Sequence, residues 1–401
     1  MSVRKKRKNK VRDPKQVAVS IIEEGRFQRE KILGLIEYYS RHSHWTMYRN
    51  EFSRPFVNLP SLKDWRGDGV VGTIYTQEER DMVDALSMPF VNTSSGNYAD
   101  GIPSVHVDNE MIGEMAAKHL MQCEVDCFLF VGPTDVAYMN QRYVGLKRAL
   151  ELERHECSFV RYRPKGEILG KHVSTEVVRP SDLLELLKDL AAPTGIMAGS
   201  DLIGFAVLEA CRRLGLRSPE DVAVIGVNND EMYCNLAHSS LTSIDVQARE
   251  VGFQAAKMLD GLMSGETIKE TLVLIPPERV IYRDSTDRSR SKHSEVARAL
   301  RFIRNHPSEF IDVSDVLDTV PVSRRWLEMR FKAEVGHGIY QEIRRVHVER
   351  AKELLTTTQL SITLLSRECG FNSPERFDFA FRKLVGMSAS EFREANQQTN
   401  R

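Results

Sequence analysis

The run RECGFNSPERFDFAFRKLVG, Arg367 to Gly386, stops one helix at Cys369-Gly370 and restarts another four residues later. The restart is well signalled. Ser373 suits an N-cap, and Pro374 fits a first helical turn, where a missing N–H costs nothing. Gly370 suits the left-handed residue that ends the preceding helix. Behind the cap, Phe377, Ala380, Phe381 and Leu384 recur at i, i+3, i+4 and i+7, one apolar helix face. The spacing predicts two short helices joined by a tight turn. DNA-binding helix-turn-helix units share that shape with ordinary helical hairpins, and shape alone leaves both open.

Charge tilts the choice. The formal net charge is zero over 401 residues, but it is partitioned. Residues 1–12 carry seven basic and no acidic residues; residues 13–287 carry 29 Lys/Arg against 41 Asp/Glu. Residues 288–401 carry 20 against 15. An acidic body is flanked by basic ends, and the basic C-terminal end holds the hairpin, which favours a polyanion partner there. The six cysteines (Cys123, Cys127, Cys157, Cys211, Cys234 and Cys369) are scattered and read as reduced core thiols. The basic start is followed by no apolar run of a signal peptide, and no stretch is long and apolar enough for a membrane helix. A cytoplasmic protein without a membrane partner is expected, with residues 1–15 as a basic disordered arm.

From Gln16 onward short apolar runs alternate with amphipathic stretches. QVAVSII (16–22), WTMY (45–48), DGVVGTI (68–74), PFVN (89–92) and SVHV (104–107) read as strands. So do DCFLFVG (126–132), CSFVRY (157–162), TGIMAG (194–199) and DVAVIGV (221–227). Helical stretches such as MIGEMAAKHLM (111–121) and QRYVGLKRALELE (141–153) separate them, which implies parallel sheets with helices on both faces. Nearly 270 residues is long for one such sheet, so two lobes are expected. Ligands of these sheets bind beyond the C-terminal strand ends. Polar residues collect there: Glu23, Glu24, Arg26, Asp108, Thr134, Asp135, Ser200, Asp201, Asn228 and Asn229. They fit a cleft for a polyhydroxylated ligand, or, taken singly, caps for the following helices.

Nothing points to catalysis. The chain lacks G-x-S-x-G, a Walker loop, H-E-x-x-H, and G-x-G-x-x-G after the first strand. His42 and His44 are a close pair, read as a surface loop and not a metal site. No enzyme, cofactor or metal is expected.

The chain resembles two known families joined in one. Residues 296–394 resemble the AraC/XylS DNA-binding domain, on Ile362, Gly370, Phe371, Ser373, Phe377, Phe381, Lys383, Gly386, Ser388, Phe392 and Arg393. VPVSRRWLEMRFKAEVG (320–336) is similar to the first recognition helix and turn of that family. The body resembles the LacI-type, periplasmic-binding-protein-like sensor, on VHVDNEMIGEMAAKHL (105–120), QRYVGLKRAL (141–150), GSDLIGFAVL (199–208) and DVAVIGVNND (221–230). The combination looks like the family of xylose-responsive regulators. It implies a two-lobed type I sensor over residues 16–286, a linker over 287–295, the DNA-binding domain over 296–394 and a tail over 395–401.

The resemblance implies two helix-turn-helix units, capped by Ser323 and Ser373, on either side of a long helix within GIYQEIRRVHVERAKELLTTT (338–358). A strut of that size suits recognition helices one turn of B-DNA apart, about 34 Å. Arg324, Arg325 and Met329 in the first unit, and Asn372, Glu375 and Arg376 in the second, are placed to meet base edges, or for some only phosphate. Trp326, Leu327, Phe331, Phe377 and Phe381 read as core. Phe379 stands where the family has a basic residue, Arg376 where an aromatic is common, and Ala389 where proline is usual.

In the sensor, the resemblance makes Arg26, Asp108, Arg142, Ser200, Asp201 and Asn228 the ligand-binding candidates. Arg142 matches the sugar-binding arginine, whose planar fork can clamp two hydroxyls. Asn228 falls where many family members have aspartate, and Leu202, Ile203, Gly204 and Phe205 follow Asp201 where xylose-type sensors are more basic. Both departures weigh against xylose itself. The expected partners are double-stranded promoter DNA, a small carbohydrate effector such as a pentose, a second copy in a homodimer and, by the resemblance, RNA polymerase. Three other readings are open to these residues. A sensor for a non-sugar ligand, or one kept for dimerisation, fits the Asn228 departure. A DNA-repair enzyme needs a reactive P-C-H-type cysteine, and none of the six has that setting. A transport binding protein needs an export signal.

Overall fold

The computed structural model describes residues 14–21, 25–42, 45–48, 57–96, 100–133, 136–162, 168–169, 172–173, 180–190, 193–268, 270–287 and 293–399. The chain divides into two compact units, the first ending at Thr286 and the second starting at Asp287.

The first unit has two lobes, each built on a six-stranded sheet. The first lobe begins with β1 (Lys15–Ser20), α1 (Gly25–His42), β2 (Trp45–Met47), β3 (Gly69–Gly72), α2 (Gln77–Asp84), β4 (Phe90–Asn92) and β5 (Ser104–Val107). The chain then crosses into the second lobe. There it forms α3 (Asn109–Met121), β6 (Cys127–Pro133), α4 (Ala137–Leu152), β7 (Cys157–Tyr162), the short β8 (Ile168–Leu169) and β9 (His172–Val173), and α5 (Pro180–Leu187). It continues through β10 (Thr194–Ala198), α6 (Asp201–Leu214), β11 (Val222–Val227), α7 (Glu231–Leu236) and β12 (Thr242–Asp245). It returns to the first lobe for α8 (Ala248–Met263) and β13 (Leu272–Ile275), and crosses a third time to β14 (Arg279–Ile281). The sheet orders are β13-β5-β4-β3-β1-β2 and β14-β12-β11-β10-β6-β7. All pairings in them are parallel except β12 with β14. The strands are near-continuous apolar runs because helices cover both faces.

One device is repeated in the two lobes. In the first, a Cβ on Gly34 of α1 would lie 1.8 Å from the Arg249 carbonyl oxygen, and one on Gly252 of α8 would lie 1.8 Å from that of Lys31. In the second, Gly113 of α3 and Gly145 of α4 stand in the same reciprocal relation to Arg142 and Glu110, at 2.1 and 2.0 Å. Each lobe is thus pinned by a helix pair whose backbones touch, and only glycine permits that approach.

The second unit is helical: α9 (Ser294–Asn305), α10 (Val313–Asp318), α11 (Arg324–Val335), α12 (Ile339–Thr357), α13 (Ile362–Glu368), α14 (Pro374–Val385) and α15 (Ala389–Thr399). It has two cores. Val296, Ile303, Val316, Leu327 and Phe331 pack with Ile339 and Ile343 at the start of α12. Leu365, Phe371, Phe377 and Phe381 pack with Val348, Ala351 and Leu355 farther along the same helix. Nineteen residues make α12 about 28 Å long. Gly370 takes φ +71°, as the turn before α14 requires.

Several boundaries differ from the sequence reading. Lys15, assigned to the arm, is the first residue of β1, where its ammonium meets Asp260 at 3.3 Å. Helix α9 starts at Ser294 inside the expected linker, and α15 runs to Thr399 through the expected tail, because its turns continue to bond beyond Arg393. His42 is not in a loop: it ends α1 and stacks on Tyr38 at 4.8 Å, while His44 lies outside the described residues. Four cysteines are buried, but Cys127 is exposed and Cys157 half-buried, since β6 and β7 begin at the sheet's rim. Among the described residues no helix is long and apolar enough to cross a membrane, and no His/Cys/Asp/Glu cluster could hold a metal. Residues 1–13, with the basic arm, lie outside the described residues.

Candidate functional site

Between the lobes, the polar residues at the strand ends form a linked set. Arg26, in the first turn of α1, donates from Nη1 to the Asn228 carbonyl at 2.9 Å, and both terminal nitrogens lie 3.3 Å from Asp245 Oδ2. Its backbone N–H donates to Asp230 Oδ2 at 3.1 Å, while Asp230 Oδ1 accepts from Met232 at the start of α7. One carboxylate therefore serves two helix N-termini, one in each lobe, where backbone donors point outward and negative charge is favoured.

A cavity of about 400 Å³ opens beside these groups, lined by Arg26, Asn228, Asp245, Phe27, Glu278 and residues of α1 and α8. Asn228 has φ +102°, and its buried side-chain Oδ1 has no hydrogen-bond partner among the described residues. A buried acceptor without a donor costs free energy unless something else supplies one.

The remaining candidates are held more tightly. Arg142 is buried; Nε donates to Asn109 Oδ1 at 2.9 Å, Nη1 donates to the Gly199 carbonyl, and the guanidinium lies over the Tyr138 ring. Ser200 caps α6 by accepting from Ile203 N, and Asp108 caps α3 by accepting from Met111 N at 3.0 Å. Asp201 is buried, with Ser243 Oγ at 2.5 Å from Oδ1 and Asp230 N at 2.6 Å from Oδ2. Burial pushes its carboxyl up to about 7 against those bonds. The structure thus joins Arg26 and Asn228 directly at the cavity, while Arg142, Ser200, Asp201 and Asp108 are not among its lining residues. Glu23, Glu24, Thr134 and Asp135 lie outside the described residues.

Three residues were missed. Asp245 and Asp230 act through contacts remote in sequence. Lys31 of α1 is fully buried, donating to the Thr93 carbonyl and Oγ1 at 3.0 and 3.3 Å, and burial lowers its pKa to about 7. A signal existed: Lys31 stands four residues from both Phe27 and Leu35, on the apolar face of α1.

In the helical unit, Ser323 and Ser373 accept from Trp326 N and Arg376 N at 3.3 Å, capping α11 and α14. Arg324, Arg325, Met329, Asn372, Glu375 and Arg376 are exposed. Arg324 pairs with Glu328 at 2.9 Å. Leu327, Phe331, Phe377 and Phe381 are fully buried and Trp326 partly so.

Two lobes on parallel sheets joined to a pair of capped recognition helices define a DNA-binding transcription regulator with a periplasmic-binding-protein-like sensor. The model of the periplasmic binding protein-like domain matches residues 117–286, and that of the helix-turn-helix domain matches 317–395. The chain is 31% identical to the xylose operon regulatory protein of Escherichia coli K12 over 381 residues, 93% of this chain and 95% of that one. It is 31% identical to the Haemophilus influenzae protein of the same name over 81% of this chain and 84% of that one. The solved structure of the xylose-binding transcription activator xylR matches with a TM-score of 0.58 at 29% identity, covering 95% of this chain and 98% of that one. The chain belongs to the family of the xylose operon regulatory proteins.

Proposed function

We propose that the sensor takes a small sugar of the pentose class between its lobes, and that the helical unit binds double-stranded promoter DNA under its control. The chain then acts in the cytoplasm, as a homodimer, activating sugar catabolic genes with RNA polymerase. The observation that carries the sugar reading is the Arg26 guanidinium lining the cavity together with Asp245 and Asn228, the last with a buried side-chain Oδ1 that has no partner among the described residues. A sugar hydroxyl both donates and accepts, so it can accept from the Arg26 guanidinium and donate to the Asp245 carboxylate beside it. The names of the relatives, a xylose operon regulatory protein and a xylose-binding activator, agree in ligand class. Asn228 lines the cavity, whereas none of Leu202, Ile203, Gly204 and Phe205 does.

The test is a thermal-shift and calorimetric screen of the full chain against monosaccharides, xylose and its epimers first. A sugar that raises the melting temperature, with the effect lost in Arg26→Ala, supports the reading. Silence across the panel overturns it. Arg26 ties the lobes through Asp245, and a silent panel would leave a sensor that serves dimerisation.

A further inference from the structure

The outward stripes of the two recognition helices match position by position. Counting from the capping serine of each, Arg325 corresponds to Glu375, Met329 to Phe379 and Lys332 to Arg382. In the middle of both stripes stands a large apolar side chain left in solvent, Met329 at 57% and Phe379 at 63% exposure. Neither belongs to a core: those of α11 and α14 are filled by Leu327 and Phe331, and by Phe377 and Phe381, on the opposite sides. One exposed apolar side chain is ordinary; the same register twice, flanked by Arg325 and Lys332 on α11 and by Glu375, Arg376 and Arg382 on α14, calls for a shared partner.

We infer that Met329 and Phe379 read the 5-methyl groups of thymines, one in each of two successive major grooves. This rests on the DNA-binding reading above and specifies what its central contacts recognise. The major groove presents thymine's methyl as its one apolar feature, and apolar side chains on a recognition helix select it. Met329 is flexible and polarisable, and adapts to a methyl without a fixed geometry. Phe379 is held: the Arg344 guanidinium of α12 lies 5.4 Å from its ring centre, which orders the ring while leaving most of it open. The neighbours one turn earlier make the two half-sites unlike. Arg325 donates to guanine O6 and N7, whereas Glu375 accepts from the cytosine amino group.

The full chain would be used to enrich duplexes from a random-sequence pool, and the enriched duplex remade with deoxyuridine at each thymine in turn. Deoxyuridine keeps the base pair and removes only the methyl. The expected result is two groups of sensitive thymines about 10 base pairs apart, each weakening binding by roughly fourfold per methyl. Met329→Ala abolishes sensitivity in one group and Phe379→Ala in the other, while Met329→Leu and Phe379→Leu, which keep an apolar tip, retain it. If an alanine variant fails to bind at all, its leucine counterpart decides. Binding indifferent to deoxyuridine, or sensitivity surviving both alanine variants, overturns the inference and assigns these side chains to a protein partner. Enrichment of no duplex would instead strike the DNA-binding reading itself.

Discussion

Asp201 and Lys31 are buried charges of opposite kind, and they give the sensor opposite pH responses. Burial raises the Asp201 carboxyl to about 7, so between about 4 and 7 the folded state holds a proton that the unfolded chain has released. Its contribution to stability is full below pH 4 and is lost as pH rises through 7. Burial lowers Lys31 to about 7, so from 7 to about 10 the unfolded chain binds more protons and stability rises with pH. Melting temperatures measured across these windows should show Asp201→Asn flattening the acid side and Lys31→Met flattening the alkaline side. Lys31→Met should also melt higher than the parent at pH 7. On the DNA side, Arg325→Ala and Arg376→Ala should lose discrimination between sequences with little change in salt dependence. A uniform loss across sequences, with a shallower salt slope, would move them to phosphate.

Among the elements, caps and close crossings differ in what they cost to break. Ser373→Ala removes one cap bond from α14 and should lower stability by about 1 kcal/mol. Gly34→Ala drives a methyl into the Arg249 carbonyl and should cost about 3 kcal/mol or more, read by denaturant unfolding. The helices and caps were legible because their signals are local: Ser323, Ser373, Gly370 and the period of Phe377, Ala380 and Phe381 all lie within one turn of what they control. Most sheet strands were legible as apolar runs. Strands β12, β13 and β14 were not: β12 is a largely buried run of four residues, two of them polar hydroxyls and one an aspartate, and β13 and β14 are half-exposed edge strands, with the pairing of Leu272 to Ser104 spanning more than 150 residues. The site was legible only in part for the same reason. Position after a strand pointed to Arg26 and Asn228, but nothing near them in sequence announces Asp245 or Asp230, which the fold brings to them.

At the scale of the molecule, two units with separate cores should melt in two steps. A bound sugar at one hundred times its dissociation constant should raise the sensor's step by about 2.7 kcal/mol and leave the helical unit's own step in place. Calorimetry with and without the sugar that scores in the screen would resolve the two. The helical unit holds one further consequence, in α12. Both of its cores close on that helix, so the two recognition elements share one axle with no slack between them. Adding a single residue at its middle would dial the second element about 100° around the first and shift it about 1.5 Å along. On the DNA-binding reading proposed above, the gap between the two words of an operator is therefore machined into this helix. It could be rewritten only in near-whole turns, about seven residues at a step.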